Sequence, residues 1–487
     1  MSAVVLDGRT LRCGQVKAVA GGAATVAVSR AGLRRAAVAA DAAAEMAAGR
    51  EIYGRTTGVG ANRDQAVSPA DQGEHGMRLL HSHAGGGGPL IAAGLSRAML
   101  AVRVNQIAAG GSGVDPGVLG PLVEAINAGL YVPVPAYGAI GTGDLTALAV
   151  TALCLLGERS WLPQPDRQPR FALASAAALA FLSSNAATIG EAALACAELS
   201  ELLAAAIVIA ALSHRAVSAS TEPYAAPVQS VKSHPGQREV AAALRALLAD
   251  GDPVSARIQD PYGYRALPQV HGPAMDAARS AERVTTIEMN AASENPLIDV
   301  ARKAVWHNGN FHAAYLGLAL DAVRAALFQT AALSAARLGT LVEPSFTGLP
   351  PFLATDRAPS SGIMILEYVA HSAIADIRRL AAPAALGSAV LSRGVEEHAG
   401  FATQSARATT GVIDAYRIVL ACELVAAVRA LRLRGVRPGA AGLAEAFDLA
   451  CAALPADTAD RALDTDLNAA DGLLAHLAPF CQPVASA

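Results

Sequence analysis

The sequence predicts a mainly α-helical protein, built as a bundle of long helices with a few short strands near the N-terminus. Three observations lead to this prediction. Long stretches without proline repeat apolar residues at helical spacing, breaks rich in proline and glycine separate them, and strand-like stretches are few and short. Helices of this length bury their apolar faces by lying side by side, so a bundle is the expected architecture.

The elements follow in order along the chain. Two short strands come first, "VVL" near the start and "ATVAVS" at residues 24–29. A helix then begins at Leu145, after Asp144, a residue type that caps helix N-termini, and it ends before Gly157. Long helices are predicted at residues 186–215, 312–343, 362–381 and 400–434. Breaks are predicted at residues 132–143, 344–362 and 433–442, and a loop with three prolines at 222–237.

Length and charge limit the class of protein. A chain of 487 residues exceeds a single core, and we divide it into residues 1–190, which carry most of the polar glycine-rich motifs, and residues 191–487, which carry the long helices. The net charge of −3 shows no excess of positive charge that would attract nucleic acid or an anionic membrane. We therefore expect neither nucleic acid nor a membrane as a partner.

Cysteine usage and hydropathy indicate a soluble cytoplasmic protein. The six cysteines are scattered without a CxxC pair or a metal-like cluster, which is typical of reduced thiols. The longest uncharged apolar run, residues 202–212, is too short to span a bilayer, and the first residues do not form an apolar leader segment.

Taken singly, the polar motifs have ordinary structural explanations. Tyr53 beside a glycine-rich loop suits a packed tyrosine with a satisfied hydroxyl, and Arg265 suits an ion pair. His81 and His83, two residues apart, do not share a helical face, so no metal site is expected.

Taken in order, the motifs resemble one family. They are "YGRTTGVG", "LLHSHAGG", "GAIGTGDLTALA", "QDPYGYRALPQVHG", "NGNFH" and "GVEEHAGF". In this order and spacing, from about Leu6 to about Arg434, the chain resembles the aromatic amino acid ammonia-lyases, the histidine, phenylalanine and tyrosine lyases with their aminomutase relatives. The resemblance implies a helical bundle of the histidine ammonia-lyase/fumarase-like type, a homotetramer whose sites draw on three chains, and an amino-acid-like substrate.

The resemblance also implies an electrophile, methylidene-imidazolone (MIO), which the family makes from its own Ala-Ser-Gly with loss of two waters. This chain has Gly141-Thr142-Gly143 there, in a loop one residue shorter, so ring closure would give an ethylidene. Ser183 stands where the family has an asparagine beside the electrophile, with Asn185 two residues on. These departures favour an unmodified loop, although an MIO-like group from the three residues stays open; no added cofactor is expected.

The family's other site residues are carried over by matching motifs. Tyr53 matches the base that removes the β-proton, and we expect helix N-termini and buried polar groups to favour its phenolate. Tyr262 matches the second loop tyrosine, and Arg265 the residue that grips the substrate carboxylate. Further matches are Asn105, Gln259, Asn310 and Phe311.

Two positions bear on the substrate. Ser82-His83 is the pair found in histidine lyases, and Glu396 matches their glutamate, so the resemblance favours histidine or a similar polar α-amino acid. Three functions stay open. The first is an ammonia-lyase or aminomutase that uses an MIO-like group, and the second is an enzyme of elimination, addition or cyclisation that works without one. The third is a non-catalytic protein that binds an amino acid or has a regulatory role.

Overall fold

The computed structural model describes residues 2–68, 70–251, 257–355 and 359–481. The fold is mainly helical with few short strands, so the predicted class is confirmed. The strands are β1 (Ser2–Leu6), β2 (Ala24–Val28), β3 (Gly87–Leu90), β4 (Pro135–Tyr137), β5 (Leu297–Asp299) and β6 (Ala304–Trp306). They form three two-stranded sheets: β1 pairs with β2 in parallel, β3 with β4 and β5 with β6 antiparallel.

The helices are α1 (Cys13–Ala20), α2 (Arg30–Ala47), α3 (Gln72–His83), α4 (Ala93–Ala109), α5 (Leu119–Asn127), α6 (Leu145–Leu156), α7 (Ala178–Leu182), α8 (Ala186–Ala216), α9 (Ala226–Ser230), α10 (Pro235–Leu247), α11 (Tyr262–Arg265), α12 (Leu267–Met289), α13 (Ala314–Val342), α14 (Pro344–Thr347), α15 (Ile365–Leu380), α16 (Ala402–Arg434), α17 (Ala441–Ala453) and α18 (Asp464–Leu477). The four long helices predicted from periodicity are confirmed as α8, α13, α15 and α16. Helix α6 begins and ends where predicted, at a left-handed Gly157.

The chain divides into two compact units. The first comprises Met1–Ala197, Ala281–Asp321 and Pro383–Arg407, and the second Glu198–Ser280, Ala322–Ala382 and Ala408–Ala487. The predicted division at residue 190 lies close to the first switch between them. The two later segments that join the first unit follow from tertiary contacts, which a linear division of the sequence does not contain.

The predicted loop at residues 222–237 is wrong in part. It contains α9, and α10 begins within it at Pro235. Both helices carry proline in the first turn, where its missing N–H breaks no helical hydrogen bond and its fixed φ suits the helix. The prolines therefore mark helix starts.

The second unit has a polar cluster inside its apolar core. The carboxylate of Glu423 accepts hydrogen bonds from Arg337 Nε and Nη2 at 2.6 and 2.7 Å, and from the hydroxyls of Ser213 and Ser334 at 2.6 and 2.5 Å. All four residues are buried. Full pairing is what makes a charge tolerable at such a position.

Two helical stretches, Ser175–Ala216 and Ala314–Val342, are long and apolar enough to cross a membrane by length and composition alone. In their most apolar windows, 67% and 50% of the residues are buried inside the protein. Core helices of globular proteins have the same properties, so these stretches are weak evidence for a membrane span.

A small core in the first unit supports the region described next. Ile52 packs with Ala43 of α2, Ile298 of β5 and Val305 of β6, and all four are buried. The residues that follow Ile52 and Val305 are thereby brought to the same side of this core.

Candidate active site

The first unit contains a cavity of about 780 Å³. Its wall residues lie within the stretches 50–64, 142–145, 179–183, 295–311 and 395–396. Five of the site residues predicted from the sequence line it together: Tyr53, Thr142, Gly143, Phe311 and Glu396.

The turn Gly141-Thr142-Gly143 depends on glycine at both ends. Gly141 has φ of +85° and Gly143 of +115°, a region that residues with a Cβ rarely adopt. A Cβ on Gly141 would also lie 2.6 Å from the backbone nitrogen of Ala402. The turn as built therefore has no room for the alanine of Ala-Ser-Gly, whereas Thr142 lines the cavity.

Asn185 contacts this turn directly. The Gly143 N–H donates to Asn185 Oδ1 at 2.8 Å in a buried position, and Asn185 Nδ2 donates to the carbonyl oxygen of Phe311. On the other side, the Ala313 N–H donates to the Gly141 carbonyl oxygen at 3.0 Å. The turn is held between a side-chain amide and the residue that precedes α13.

Ser183, the residue at the predicted asparagine position, has a different environment. It lines the cavity, and its Oγ accepts a hydrogen bond from the backbone N–H of Asn295 at 3.0 Å. The side chain that contacts the turn with an amide is instead that of Asn185, two residues later in the chain.

Asp144 precedes α6 as predicted, but its side chain makes no capping bond there. The carboxylate instead accepts hydrogen bonds from the N–H and the hydroxyl of Thr188, at 2.7 and 2.9 Å. Complete burial raises the pKa of Asp144 to about 6, although the Thr188 bonds act to lower it. Asp144 therefore fastens the start of α6 to α8.

Tyr53 is held at both ends. Its hydroxyl oxygen accepts a hydrogen bond from the backbone N–H of Gly60 at 2.8 Å, and its backbone N–H donates to Nε2 of His307 at 3.2 Å. The ring is half-buried and lines the cavity.

The electrostatics of Tyr53 differ from the expected ones. Burial raises the pKa of the phenol above its ordinary value, the Gly60 hydrogen bond and Arg63 lower it, and the charge of Glu396 raises it. The net direction is upward, so the surroundings of Tyr53 disfavour the phenolate, contrary to the expectation from the sequence. Desolvation outweighs the single backbone donor.

Glu396 lies near the Gly60 loop. A Cβ placed on Gly60, which has φ of +55°, would lie 3.6 Å from Glu396 Oε1 and 2.4 Å from Ser392 Oγ. The Ser392 hydroxyl accepts a hydrogen bond from the N–H of Ala61 at 3.0 Å. Glycine at position 60 thus allows the loop that carries Glu396 to approach the Tyr53 loop closely.

Four predicted site residues of the first unit do not line this cavity: Gly141, whose place in the turn is given above, and His83, Asn105 and Asn310. His83 ends α3, with its Nδ1 2.9 Å from the carbonyl oxygen of Leu79. Asn105 is fully buried in α4, and its amide accepts from Gly8 N–H and donates to the Met289 carbonyl, at 2.8 and 2.9 Å. Asn310 is exposed.

The remaining three, Gln259, Tyr262 and Arg265, belong to the second unit. Gln259 and Tyr262 are exposed, and the Arg265 guanidinium stacks 4.5 Å from the Tyr262 ring centroid. The Nε of Arg265 is buried without a hydrogen-bond partner among the residues that the structure describes. A half-buried guanidinium with a free donor suits a carboxylate.

Several residues of the cavity wall are not among the predicted site residues. Arg50, Arg63, Asp64, Asn295 and His307 all line it. Arg63 and Asp64 lie in the quoted segment "EIYGRTTGVGANRD", and His307 lies one residue before "NGNFH", so proximity to the motifs was the available signal.

Within the described part of the chain, no three His, Cys, Asp or Glu side chains are grouped to hold a metal ion. His81 Nε2 lies 2.6 Å from a carboxylate oxygen of Glu158.

The fold and this cavity define a mainly helical protein in which a half-buried tyrosine and a glycine turn line one cavity. A family model for aromatic amino acid lyases matches residues 11–451. Histidine ammonia-lyase of Geobacillus thermodenitrificans is 35% identical, covering 88% of each chain, and that of Stigmatella aurantiaca is 33% identical, covering 96% of each. The crystal structure of histidine ammonia-lyase from Trypanosoma cruzi superposes with a TM-score of 0.90 at 27% identity, covering 99% of this chain and 95% of that one.

The chain belongs to the aromatic amino acid lyase family and is an ammonia-lyase-like carbon–nitrogen lyase. The family is known for its self-derived MIO group, so the turn can be tested for its fit. Gly143 supplies the amide nitrogen, Gly141 the carbonyl two residues earlier, and Thr142 a hydroxyl between them. The hydrogen bond from the Ala313 N–H polarises the Gly141 carbonyl, and Asn185 Oδ1 accepts a hydrogen bond from the Gly143 N–H, which is the polarity that ring closure requires. The residues present fit the group.

Proposed function

We propose that the chain eliminates ammonia from histidine or a similarly polar α-amino acid, with Tyr53 removing the β-proton. The observation that carries the proposal is the common cavity lined by Tyr53, Thr142 and Glu396. A base, a candidate electrophile and a side-chain partner on the walls of one cavity are the parts that a β-elimination needs.

Tyr53 is suited to proton transfer by its fixed position. The Gly60 N–H donates to the hydroxyl oxygen, so this bond favours the phenolate once the proton has left. Because burial holds the pKa of Tyr53 above its ordinary value, the resting phenol is protonated at neutral pH. The active form is therefore a minor one whose population rises with pH.

Glu396 supports a substrate with a cationic or hydrogen-bonding side chain. A carboxylate in the cavity wall carries a desolvation cost when it faces an apolar group and gains a charge-assisted bond when it faces an imidazole. The relatives at 33% and 35% identity are named histidine ammonia-lyases, which supports the same substrate.

We further propose that Gly141, Thr142 and Gly143 form the electrophile. This differs from the sequence-based expectation of an unmodified loop, which stays untested. One reason for that expectation was the missing asparagine, and the Asn185 contact to Gly143 weakens it. When formed, the group supplies an electron-poor alkene that turns the substrate amine into a better leaving group. The start of α6 at Leu145 adds the positive end of a helix next to the turn.

The proposed assembly is a soluble cytoplasmic homotetramer without nucleic-acid or membrane partners. Gln259, Tyr262 and Arg265 would then complete the site, as the family resemblance implies. Large apolar side chains that are exposed in the single chain support assembly, among them Tyr315 and Leu318 of α13, at 78% and 62%. A monodisperse monomer by light scattering would contradict it.

The test combines turnover with intact mass. Purified protein is incubated with L-histidine, L-phenylalanine and L-tyrosine, and ammonia release and the absorbance of the unsaturated acid are followed. We expect turnover of histidine, and its loss by at least about a hundredfold in Tyr53→Phe. The chain should weigh two waters less than encoded and absorb in the near ultraviolet, and Thr142→Ala, which has no hydroxyl to eliminate, should lose that absorbance.

Tyr137→Phe is the matched control, since Tyr137 is exposed and lies outside the cavity wall. It should keep full activity. Full activity in Tyr53→Phe would refute the role of the base. The mass of the unmodified polypeptide together with active Thr142→Ala would refute the electrophile and support the sequence-based expectation.

A further inference from the structure

His307 joins two parts of the first unit that the sequence separates by 254 residues. It follows β6, whose Val305 packs with Ile52 in the small core described above. Arg50 Nη1 donates to the Val305 carbonyl oxygen at 3.3 Å, and the Tyr53 N–H donates to His307 Nε2 at 3.2 Å. The end of the β5–β6 hairpin is therefore tied twice to the segment that carries the proposed base.

The contact fixes the protonation state of the imidazole. An acceptor Nε2 requires neutral histidine with its proton on Nδ1, because imidazolium has two N–H donors and no acceptor. His307 is exposed, but partial desolvation at the cavity wall and the nearby Arg50 lower its pKa below the ordinary value, in agreement with a neutral ring. The other charged or titratable side chains that line the same cavity are Glu51, Tyr53, Arg63, Asp64 and Glu396.

We infer that His307 is a positioning residue for Tyr53: in its neutral form it holds the Tyr53 backbone so that the phenol, fixed at its other end by Gly60, stays aimed into the cavity. The inference rests on the proposed role of Tyr53. His307 acts through the Tyr53 backbone and need not touch the substrate, so its loss lowers kcat more than it changes KM.

The sign of the pH dependence follows from the acceptor. As pH falls through the pKa of His307, the ring gains a proton, the bond to Tyr53 is lost and turnover falls. Glutamine at this position keeps an acceptor oxygen and does not titrate. We therefore divide the kcat/KM of His307→Gln by that of wild type at each pH. This ratio is constant above about pH 7 and rises as the pH falls below about 6.5, the ordinary pKa of histidine. The titration of Tyr53 itself cancels in this ratio.

The kinetic experiment compares His307→Gln and His307→Leu with wild type on L-histidine between pH 5 and 9, each checked for folding by thermal melting. His307→Leu should lose about fivefold to tenfold in kcat at pH 8 with little change in KM, as expected for one neutral hydrogen bond. His307→Gln should stay within about twofold. His81→Gln is the control, because its Glu158 partner lies outside the cavity wall.

Hydrogen exchange supplies a readout that does not need turnover. In peptides that cover residues 50–58, the Tyr53 amide should exchange more slowly in wild type and His307→Gln than in His307→Leu at pH 7.5. The amides of Arg55 and Thr56, bonded to the Ile52 carbonyl, serve as internal references. Equal exchange in His307→Leu and wild type overturns the inference. If Tyr53→Phe is inactive but the ratio of His307→Gln to wild-type kcat/KM does not change with pH, the positioning role of His307 is overturned as well. If Tyr53→Phe is active, the proposed function is overturned instead.

Discussion

Removing the Asn185 amide should stop the Gly-Thr-Gly turn from maturing. Asn185 is 1% exposed, and Asn185→Ala leaves the Gly143 N–H and the Phe311 carbonyl without their partner. An unsatisfied buried polar group costs about 1–3 kcal/mol, so the two cost about 2–6 kcal/mol. If a third of that cost, about 0.7–2 kcal/mol, falls on the geometry needed for ring closure, closure slows by about threefold to thirtyfold.

The assay is the intact mass and the near-ultraviolet difference spectrum of protein purified at fixed times after expression. We expect Asn185→Ala to contain a fraction at the unmodified mass, while wild type is two waters lighter. Asn127→Ala is the matched control, since Asn127 also bridges a backbone N–H and carbonyl, both of Val26, at 2.7 and 3.0 Å. Complete maturation of Asn185→Ala at the wild-type rate would refute the reasoning.

Three further predictions concern charge. The rising limb of kcat/KM against pH, which follows the ionisation of Tyr53, should move to lower pH in Glu396→Gln, because the Glu396 charge raises the pKa of Tyr53; an unmoved limb would contradict this. Arg265→Leu should weaken binding of an amino-acid ligand by about 2–5 kcal/mol in calorimetry, and unchanged affinity would reject its carboxylate role. Arg337→Leu should lower the free energy of unfolding by about 3–5 kcal/mol in urea, since it strands the buried Glu423 carboxylate; a loss below about 1 kcal/mol would show that the serines suffice.

The helical framework was predictable because it depends on local signals. Apolar periodicity located α8, α13, α15 and α16 to within a few residues, and Asp144 and Gly157 bounded α6. Prolines were less reliable signals of loops. A proline inside a helix breaks it, but Pro235 lies at the first position of α10, where proline is tolerated. Position within an element, rather than residue type, decides between these outcomes.

The site was predictable only as far as the motifs reach. Tyr53, Thr142 and Glu396 were found through the family resemblance, and the structure brings them to one cavity. The contact of His307 with Tyr53 depends on tertiary packing of a hairpin, and no local pattern records it. The pKa direction of Tyr53 also depends on how much water the folded chain excludes, which composition does not indicate.

The two departures from the family pattern are best explained together, and a double variant tests this. The family resemblance implies a turn one residue longer and an asparagine at position 183, whereas the amide that contacts this turn belongs to Asn185, two residues after Ser183. The Ser183 hydroxyl itself accepts a hydrogen bond from the Asn295 N–H.

If the shift of the amide compensates for the shorter turn, Ser183→Asn should not rescue Asn185→Ala, because an amide at position 183 is placed beside Asn295 and not beside Gly143. Mass and near-ultraviolet absorbance of the double variant should then equal those of Asn185→Ala alone. Recovery of the lighter mass in the double variant would show that either position can serve the turn and that the two departures arose independently.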